Sequence, residues 1–369
     1  MLATLTRQLA AARPLADEQI RAAVEALTDE TVPAALKADF LVALAQKGET
    51  PAEIAAFARA LRDKSIAPPL DATTRAEEIL DVVGTGGDRL GTFNISTAAA
   101  LLCAAAGVAV AKHGNRAVTS QAGSADVLEA LGVPIDLTPA EAARSLRRKR
   151  FAFFFAPAFH PAFKNIAPAR KLCAERGQRT IFNLLGPLLN PARPSALLVG
   201  VPRPEWCEPL ARVLQSLGVR RTMVVCGRVS PRIASGKPPS DTAMSVASAP
   251  PPDVFLDELS TLGENTLAEF YQERGFAVSV LAPEQFPLQP ATLEDLRGGD
   301  KFQNAEIVRR ILHGTERGPR REAVLLNAGA ALFVAGKVRS VTEGWELAAE
   351  IIDSGRAAAK LTELVEQRV

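Results

Sequence analysis

Between Ile79 and Phe155 the chain alternates strand-like and helical runs, and that order restricts the fold more than any other feature. ILDVV at 79–83, an Ala/Leu-rich run at 96–106, VAVAK at 108–112, a helical 124–131 and FAFFF at 151–155 follow one another. Parallel strands need a crossover, usually a helix, so this alternation predicts a mostly parallel sheet covered by helices. Upstream, from Met1 to about Ala67, apolar residues recur at helical spacing, and Pro14, Pro33 and Pro51 each stand where a new helix can start. The segment 68–74 (PPLDATT) has the composition of a linker. The fold class predicted is α/β: a small all-helical N-terminal domain over 1–70, then a larger α/β domain over 71–369 with a mostly parallel central sheet flanked by helices. A chain of 369 residues is long enough for both. A Pro/Ser-rich insert at 228–253 separates MVVCG at 223–227 from FLDEL at 255–259. The end of the chain, from Glu322 to Val369, reads as helical and broken by Gly336, Gly344 and Gly355.

Charge and cysteine usage exclude several classes. Forty-three basic against 41 acidic residues leave a net +2, too balanced for sequence-independent nucleic-acid binding. The five cations of RSLRRKR at 144–150 fall at a predicted helix end, where the dipole favours them. Cys103, Cys173, Cys207 and Cys226 are scattered, without zinc spacing, and read as reduced thiols of a cytoplasmic protein. The N-terminus reads as an amphipathic helix and not a signal peptide. The longest uncharged stretch, Ile95–Ala111, has 17 residues and is mostly alanine, whereas a membrane span needs about 20 strongly apolar ones.

Four segments carry chemistry. The first strand runs into GTGGD at 84–88 and then NIST at 94–97, which opens a helix. Glycines let backbone N–H groups approach an anion, and the helix start adds a positive dipole end, so this is a phosphate cradle. No Lys-Ser/Thr follows the glycines and Arg89 occupies the place of the last glycine of a dinucleotide fingerprint, so neither of those motifs applies. Taken alone, the cluster is equally a tight turn capped by Asn94 and Ser96. A second strand leads into HGNRAVTSQAGSAD at 113–126, where Lys112, Asn115, Arg116, Thr119 and Ser120 place donors at a strand's carboxyl end. Two anion loops suit a ligand with phosphate at one end and pyrophosphate at the other, such as phosphoribosyl pyrophosphate. Asp257-Glu258 suits a hard divalent cation such as Mg²⁺ beside phosphate oxygens. Lys164, Arg170, Lys171 and Arg179 stand within FAPAFHPAFKNIAPARKLC at 155–173 and GQRTIFNLLGPLLNPA at 177–192, a setting for a carboxylate or for a solvated helix face. His113 and His160 show no partner that would complete a metal set or triad.

Together DVVGTGGD, FNIST, KHGNRAVTSQAGSADVLEALG, RTIFNLLGPLLNPA, LDELSTLGENT and VLLNAGAALFVAGK run nearly end to end, and through them the chain resembles the anthranilate phosphoribosyltransferases of tryptophan biosynthesis. The resemblance implies a homodimer formed through the helical domain, which helices from about 160–185 would join, and an active site between the domains. It implies that Gly84, Gly87, Asp88, Thr92, Asn94, Ser96, Thr97, Lys112, Asn115, Arg116, Thr119, Ser120 and Ser124 hold phosphoribosyl pyrophosphate. Ser96, Asp257 and Glu258 would hold Mg²⁺; Gly84, Asn115 and Arg170 would contact anthranilate, Arg170 at its carboxylate. No acid, base or nucleophile is implied, because an aromatic amine is already unprotonated at neutral pH and can attack C1 of the ribose directly. Departures are Gln121 for a usual Lys or Arg, Phe255 for the glycine usual before Leu-Asp-Glu, and GEN at 263–265 for GPT. The rival readings are a pyrimidine nucleoside phosphorylase and a non-catalytic nucleic-acid-binding member of the same fold. No nucleic acid or membrane is expected as a partner.

Overall fold

The N-terminal prolines mark helix starts unequally. In the computed structural model, which describes residues 1–117, 121–230, 253–271 and 275–366, the first helices are α1 (Leu2–Ala10), α2 (Asp17–Thr28), α3 (Ala34–Lys47) and α4 (Pro51–Arg62). Pro51 opens α4, behind the Thr50 hydroxyl that accepts from the Glu53 N–H, and Pro33 directly precedes α3. Pro14 starts no helix. The backbone N–H of Ala16 donates to the side chain of Gln19 at 3.0 Å, and that contact sets the start of α2 further along.

After α5 (Ala72–Ala76) come β1 (Ile79–Gly84), α6 (Ile95–Ala105), β2 (Ala109–Gly114), α7 (Ser124–Leu131), α8 (Pro139–Lys149), β3 (Phe151–Phe155) and α9 (Ala156–Phe159). Then follow α10 (Ala167–Glu175), α11 (Phe182–Leu185), β4 (Ala196–Gly200), α12 (Cys207–Ser216), β5 (Arg221–Val229), β6 (Val254–Leu256), β7 (Asn265–Tyr271) and β8 (Gly275–Leu281). The last helices are α13 (Lys301–Leu312), α14 (Pro319–Val334), α15 (Val341–Asp353) and α16 (Arg356–Glu366). One sheet runs in the order β3-β2-β1-β4-β5-β7-β8, with β6 also on β5. The first five strands of that order are parallel; β6, β7 and β8 pair antiparallel.

Side chains alternate across the sheet with the period of two that a strand dictates. Leu80, Val82, Val110, Leu198, Met223 and Val225 enter one core with α6, α14 and α15. Leu197, Val199, Val224, Cys226, Ala268 and Phe270 face the other way, into a core shared with α1–α4, α10 and α12. The helical bundle is therefore packed onto the back of the sheet through a common apolar layer.

Two expectations about the later chain resolve differently. Gly336 and Gly355 lie in turns with φ of +70° and +78°, beyond the ends of α14 and α15. Gly344 breaks nothing: it lies inside α15, where a Cβ would stand 2.3 Å from the Gly329 carbonyl oxygen of α14. Two helices cross there backbone to backbone, and that close approach is why the glycine is present. The basic run ends α8, with Arg150 in the left-handed region; Arg147 pairs with Asp71 and Arg150 with Glu77. Among the described residues no helix is long and apolar enough to cross a membrane.

Glu53 ties the bundle together. Its buried carboxylate accepts from the Leu15 and Thr50 N–H groups, each at 2.9 Å, and pairs with Lys47 at 2.7 Å. Removing one member of such a pair strands the other in the core. Glu53→Ala should lower the unfolding free energy by about 3 kcal/mol, read from urea denaturation against the parent protein.

Candidate active site

Three neighbouring strands carry a glycine where another segment must pass, at the last residue of β1 and β4 and two residues before the end of β5. Gly84, Gly200 and Gly227 belong to the adjacent strands β1, β4 and β5, and the stretch Asp257–Ser260 runs across them. A Cβ at Gly84 would stand 2.2 Å from a carboxylate oxygen of Asp257. One at Gly200 would stand 1.6 Å from the Asp257 carbonyl oxygen, and one at Gly227 would stand 2.5 Å from that of Glu258. Any side chain at these positions would push the acidic pair off the sheet. Buried amides hold the segment in place: Leu259 N–H donates to Asn327 at 3.0 Å and Ser260 N–H to Asn265 at 2.6 Å.

Seated this way, Asp257 and Glu258 meet the first anion loop. Gly86 N–H donates to the Asp257 carboxylate at 2.6 Å, and Ser96 N–H, in the first turn of α6, donates to that of Glu258 at 3.1 Å. Burial, with the nearby charges of Asp88 and Glu258, raises the Asp257 pKa well above the carboxylate range. Burial pushes Glu258 up to about 7, against the opposing charge of Lys112. A half-buried carboxylate pair, with the Ser96 hydroxyl beside it, is a hard-oxygen donor set of the kind Mg²⁺ takes. Among the described residues no group of three or more His, Cys, Asp or Glu side chains is arranged to hold a metal ion. The set fits a metal that completes its shell with phosphate oxygens and water.

Lys112 lies beneath the loop, fully buried, its ammonium donating to the Val82 carbonyl at 2.7 Å. Asp81, also buried, accepts from Asn190 at 2.8 Å, and Asn190 donates to the Ala111 carbonyl at 2.7 Å, so the middles of β1 and β2 are tied by one amide. Burial raises Asp81 to about 6, with the Lys112 charge opposing.

The remaining expected residues divide. Thr92 bridges to Arg297, and Asn94 bonds Ala122 and Asn304. Asn94 stands at the N-cap of α6 yet makes no side-chain cap bond, which corrects the capping alternative: its amide serves tertiary contacts instead. Thr97 is buried, and its hydroxyl has no partner among the described residues. Gly87 has a φ of +93°, which glycine adopts freely, and Ser124 Oγ packs against Gly114. Arg116 is turned into ion pairs with Asp126 and Glu129 at 3.0 and 2.8 Å, while the Asn115 side-chain carbonyl accepts from the Arg116 N–H. Thr119 and Ser120 lie outside the described residues, as does all of the insert between 231 and 252.

Arg170 closes a row of rings. His113 at the end of β2 lies 5.2 Å from His160, His160 lies 5.1 Å from Phe163, Phe163 lies 5.8 Å from Phe182, and the Arg170 guanidinium lies 5.3 Å from Phe182. The two histidines, without a visible partner in the sequence, are therefore neighbours. Their positions after adjacent parallel strands, in KHGN and FHPAFKN, were the available signal. Lys164 and Lys171 are exposed on the outside of this region.

Comparison with known proteins places this geometry. A glycosyl transferase family helical bundle domain matches residues 3–65, and a glycosyl transferase family a/b domain matches 76–231 and 252–358. The chain is 45% identical to the anthranilate phosphoribosyltransferase of Symbiobacterium thermophilum over 98% of this chain and 96% of that one. A crystal structure of the Thermus thermophilus enzyme superposes with a TM-score of 0.81 at 41% identity, covering 98% of both chains. The Saccharomyces cerevisiae enzyme in complex with PRPP and Mg gives 0.80 at 25% identity, covering 99% of this chain and 97% of that one.

Burial lowers the pKa of His113 to about 3 and of His160 to about 4, so both are neutral imidazoles in the folded protein. Above the ordinary histidine pKa, folded and unfolded chains are alike uncharged. As pH falls below it, only the unfolded chain takes up the proton, so stability is lost on acidification until about pH 4 for His160. From about pH 7 to about pH 5 the parent should lose roughly 2 kcal/mol more unfolding free energy than His160→Gln, measured by urea denaturation at both values.

Proposed function

The chain belongs to the anthranilate phosphoribosyltransferase family, and from that premise we propose how its residues divide the work. The reaction transfers the phosphoribosyl group of phosphoribosyl pyrophosphate to the amine of anthranilate, giving N-(5-phosphoribosyl)anthranilate and pyrophosphate. The amine nitrogen forms a bond to C1 of the ribose, the bond from C1 to the pyrophosphate oxygen breaks, and the nitrogen loses its proton to solvent. The observation that carries the reading is the seating of Asp257 and Glu258 against Gly86 and Ser96 over the glycines of three adjacent strands.

In this reading the first loop (Gly84, Gly87, Asp88, Thr92, Asn94, Ser96, Thr97) takes the pyrophosphate end through N–H groups and the start of α6. The second loop (Asn115, Arg116, Thr119, Ser120, Ser124) takes the ribose phosphate, with Lys112 supporting both from below. Arg116 would exchange its pairs with Asp126 and Glu129, both partly in water, for the phosphate. Ser96, Asp257 and Glu258 would hold Mg²⁺, which when bound neutralises charge building on the departing pyrophosphate. Anthranilate, an aromatic ring bearing a carboxylate, matches the ring row that ends in Arg170, with Gly84 and Asn115 at its amine end. Neutral His113 and His160 leave that wall uncharged, as an aromatic ring requires.

We also assign residues 1–70, completed by α10 and α11, to a helical domain that forms a homodimer; exposed Met1 and Leu36 on that domain support the assignment. Residues 71–369 form the phosphoribosyl-pyrophosphate domain. The four cysteines, all free and buried, accord with a cytoplasmic setting.

Loss of anthranilate fluorescence tests the reading: it should require the protein, phosphoribosyl pyrophosphate and Mg²⁺ together, and fluorescence that persists with all three present would refute it. Arg170→Ala should raise the KM for anthranilate by about 10- to 100-fold while that for phosphoribosyl pyrophosphate changes little, since a charged hydrogen bond contributes about 1.5–3 kcal/mol. Glu258→Gln should lower kcat and shift the Mg²⁺ titration to higher concentration; an unchanged titration would remove Glu258 from the metal site.

A further inference from the structure

Beside the glycine loop lies a cleft of about 640 Å³ that shares Gly87 and Asp88 with the loop but includes none of Ser96, Lys112, Asn115, Asp257 or Glu258. Arg89, Arg179 and Arg203 line it. Arg179 and Arg203 both stack on Trp206, their guanidinium carbons 5.3 and 5.5 Å from the ring centroid. Arg179 Nη2 would stand 2.7 Å from a Cβ on Gly87, so this guanidinium rests against the loop backbone itself. Three like charges gathered in this way repel one another, and desolvation, with the Arg203 and Arg89 charges, lowers the Arg179 pKa.

Among the described residues, only Arg203 of the three is paired with an acid lining the cleft. Asp253 is engaged with Arg228 at 2.7 Å, Glu205 reaches only Arg203, at 3.7 Å, and Asp88 faces the Asp257 carboxylate. Arg89 and Arg179 have no ion pair among the described residues. Phe255, the residue that departs from the usual glycine, closes the wall beside them. Guanidinium forks held by an indole match the paired oxygens of a phosphate, and such a cluster suits a polyanion.

Resting on the proposed reaction, we propose that Arg89, Arg179 and Arg203 form a second anion site, next to the catalytic one, that receives the inorganic pyrophosphate released by transfer. The leaving group departs across Gly87 into this cleft, and a fresh phosphoribosyl pyrophosphate can occupy the first site while the product is still held in the second.

Calorimetric titration of the full-length protein with inorganic pyrophosphate and Mg²⁺ tests this. Two binding classes are expected, of which one survives saturation with phosphoribosyl pyrophosphate. In the double variant Arg179→Gln, Arg203→Gln the surviving class should weaken by at least about 10-fold, the loss of one charged phosphate contact, while the class that phosphoribosyl pyrophosphate displaces is retained. The Arg179→Lys, Arg203→Lys pair, which keeps the charge, should restore part of the affinity. A single class, or a surviving class indifferent to both substitutions, would overturn the proposal, as would loss of both classes together. The fluorescence assay on the same preparation separates the two ideas: active protein without the second class refutes the site alone, and inactive protein refutes the assignment of its occupant as a product.

Discussion

Everything at the carboxyl end of the parallel strands depends on a steric allowance: three neighbouring strands carry no side chain at or near their last residue. Gly84, Gly200 and Gly227 leave a trough across β1, β4 and β5, and the acidic segment lies in it with contacts no Cβ would permit. Strand order alone would leave Asp257 far along the chain from the first loop. The trough brings the two together, with the Gly86 N–H and the start of α6 supplying donors to the half-buried carboxylates. The cost is electrostatic, since acids gathered together with little water raise one another's pKa, and the dication and substrate phosphates proposed above would offset it.

The same logic holds one layer below. Lys112 is buried under the loop with its charge near Asp81 and Glu258, and Asn190 joins Asp81 to β2. Buried polar groups of this kind stay only where each has partners, and here the partners are backbone carbonyls of the strands that carry the loops. Loop positions are thus inherited from sheet register and do not rely on the loops themselves.

Much of this was legible in the sequence. Alternating runs locate β1, α6, β2, α7 and β3 to within a residue or two, because fully buried parallel strands and Ala/Leu-rich helices have distinct compositions. The glycines of GTGGD announce the left-handed turn that the loop takes, with φ of +74° at Gly86 and +93° at Gly87. Hidden were the features that depend on distant partners. Gly344 looks like a breaker until Gly329 is seen against it; Arg116 reads as a free cation, yet it pairs with acids one helix later; and His113 and His160 meet only because β2 and β3 are adjacent. Gly200, at the end of β4, and Gly227, inside β5, carry no mark in the sequence of the segment that crosses them.

The pairing of Val229 with Val254 closes the base of the 231–252 stretch as two antiparallel neighbours on one sheet. With both ends fixed a strand spacing apart, the entropy of closing the intervening chain grows only logarithmically, by about 0.6 kcal/mol for each doubling of length. The fold can thus lengthen or shorten here at almost no thermodynamic penalty, a few residues ahead of its most constrained carboxylates. Length is weakly constrained on one side of a strand pair, and position tightly constrained on the other.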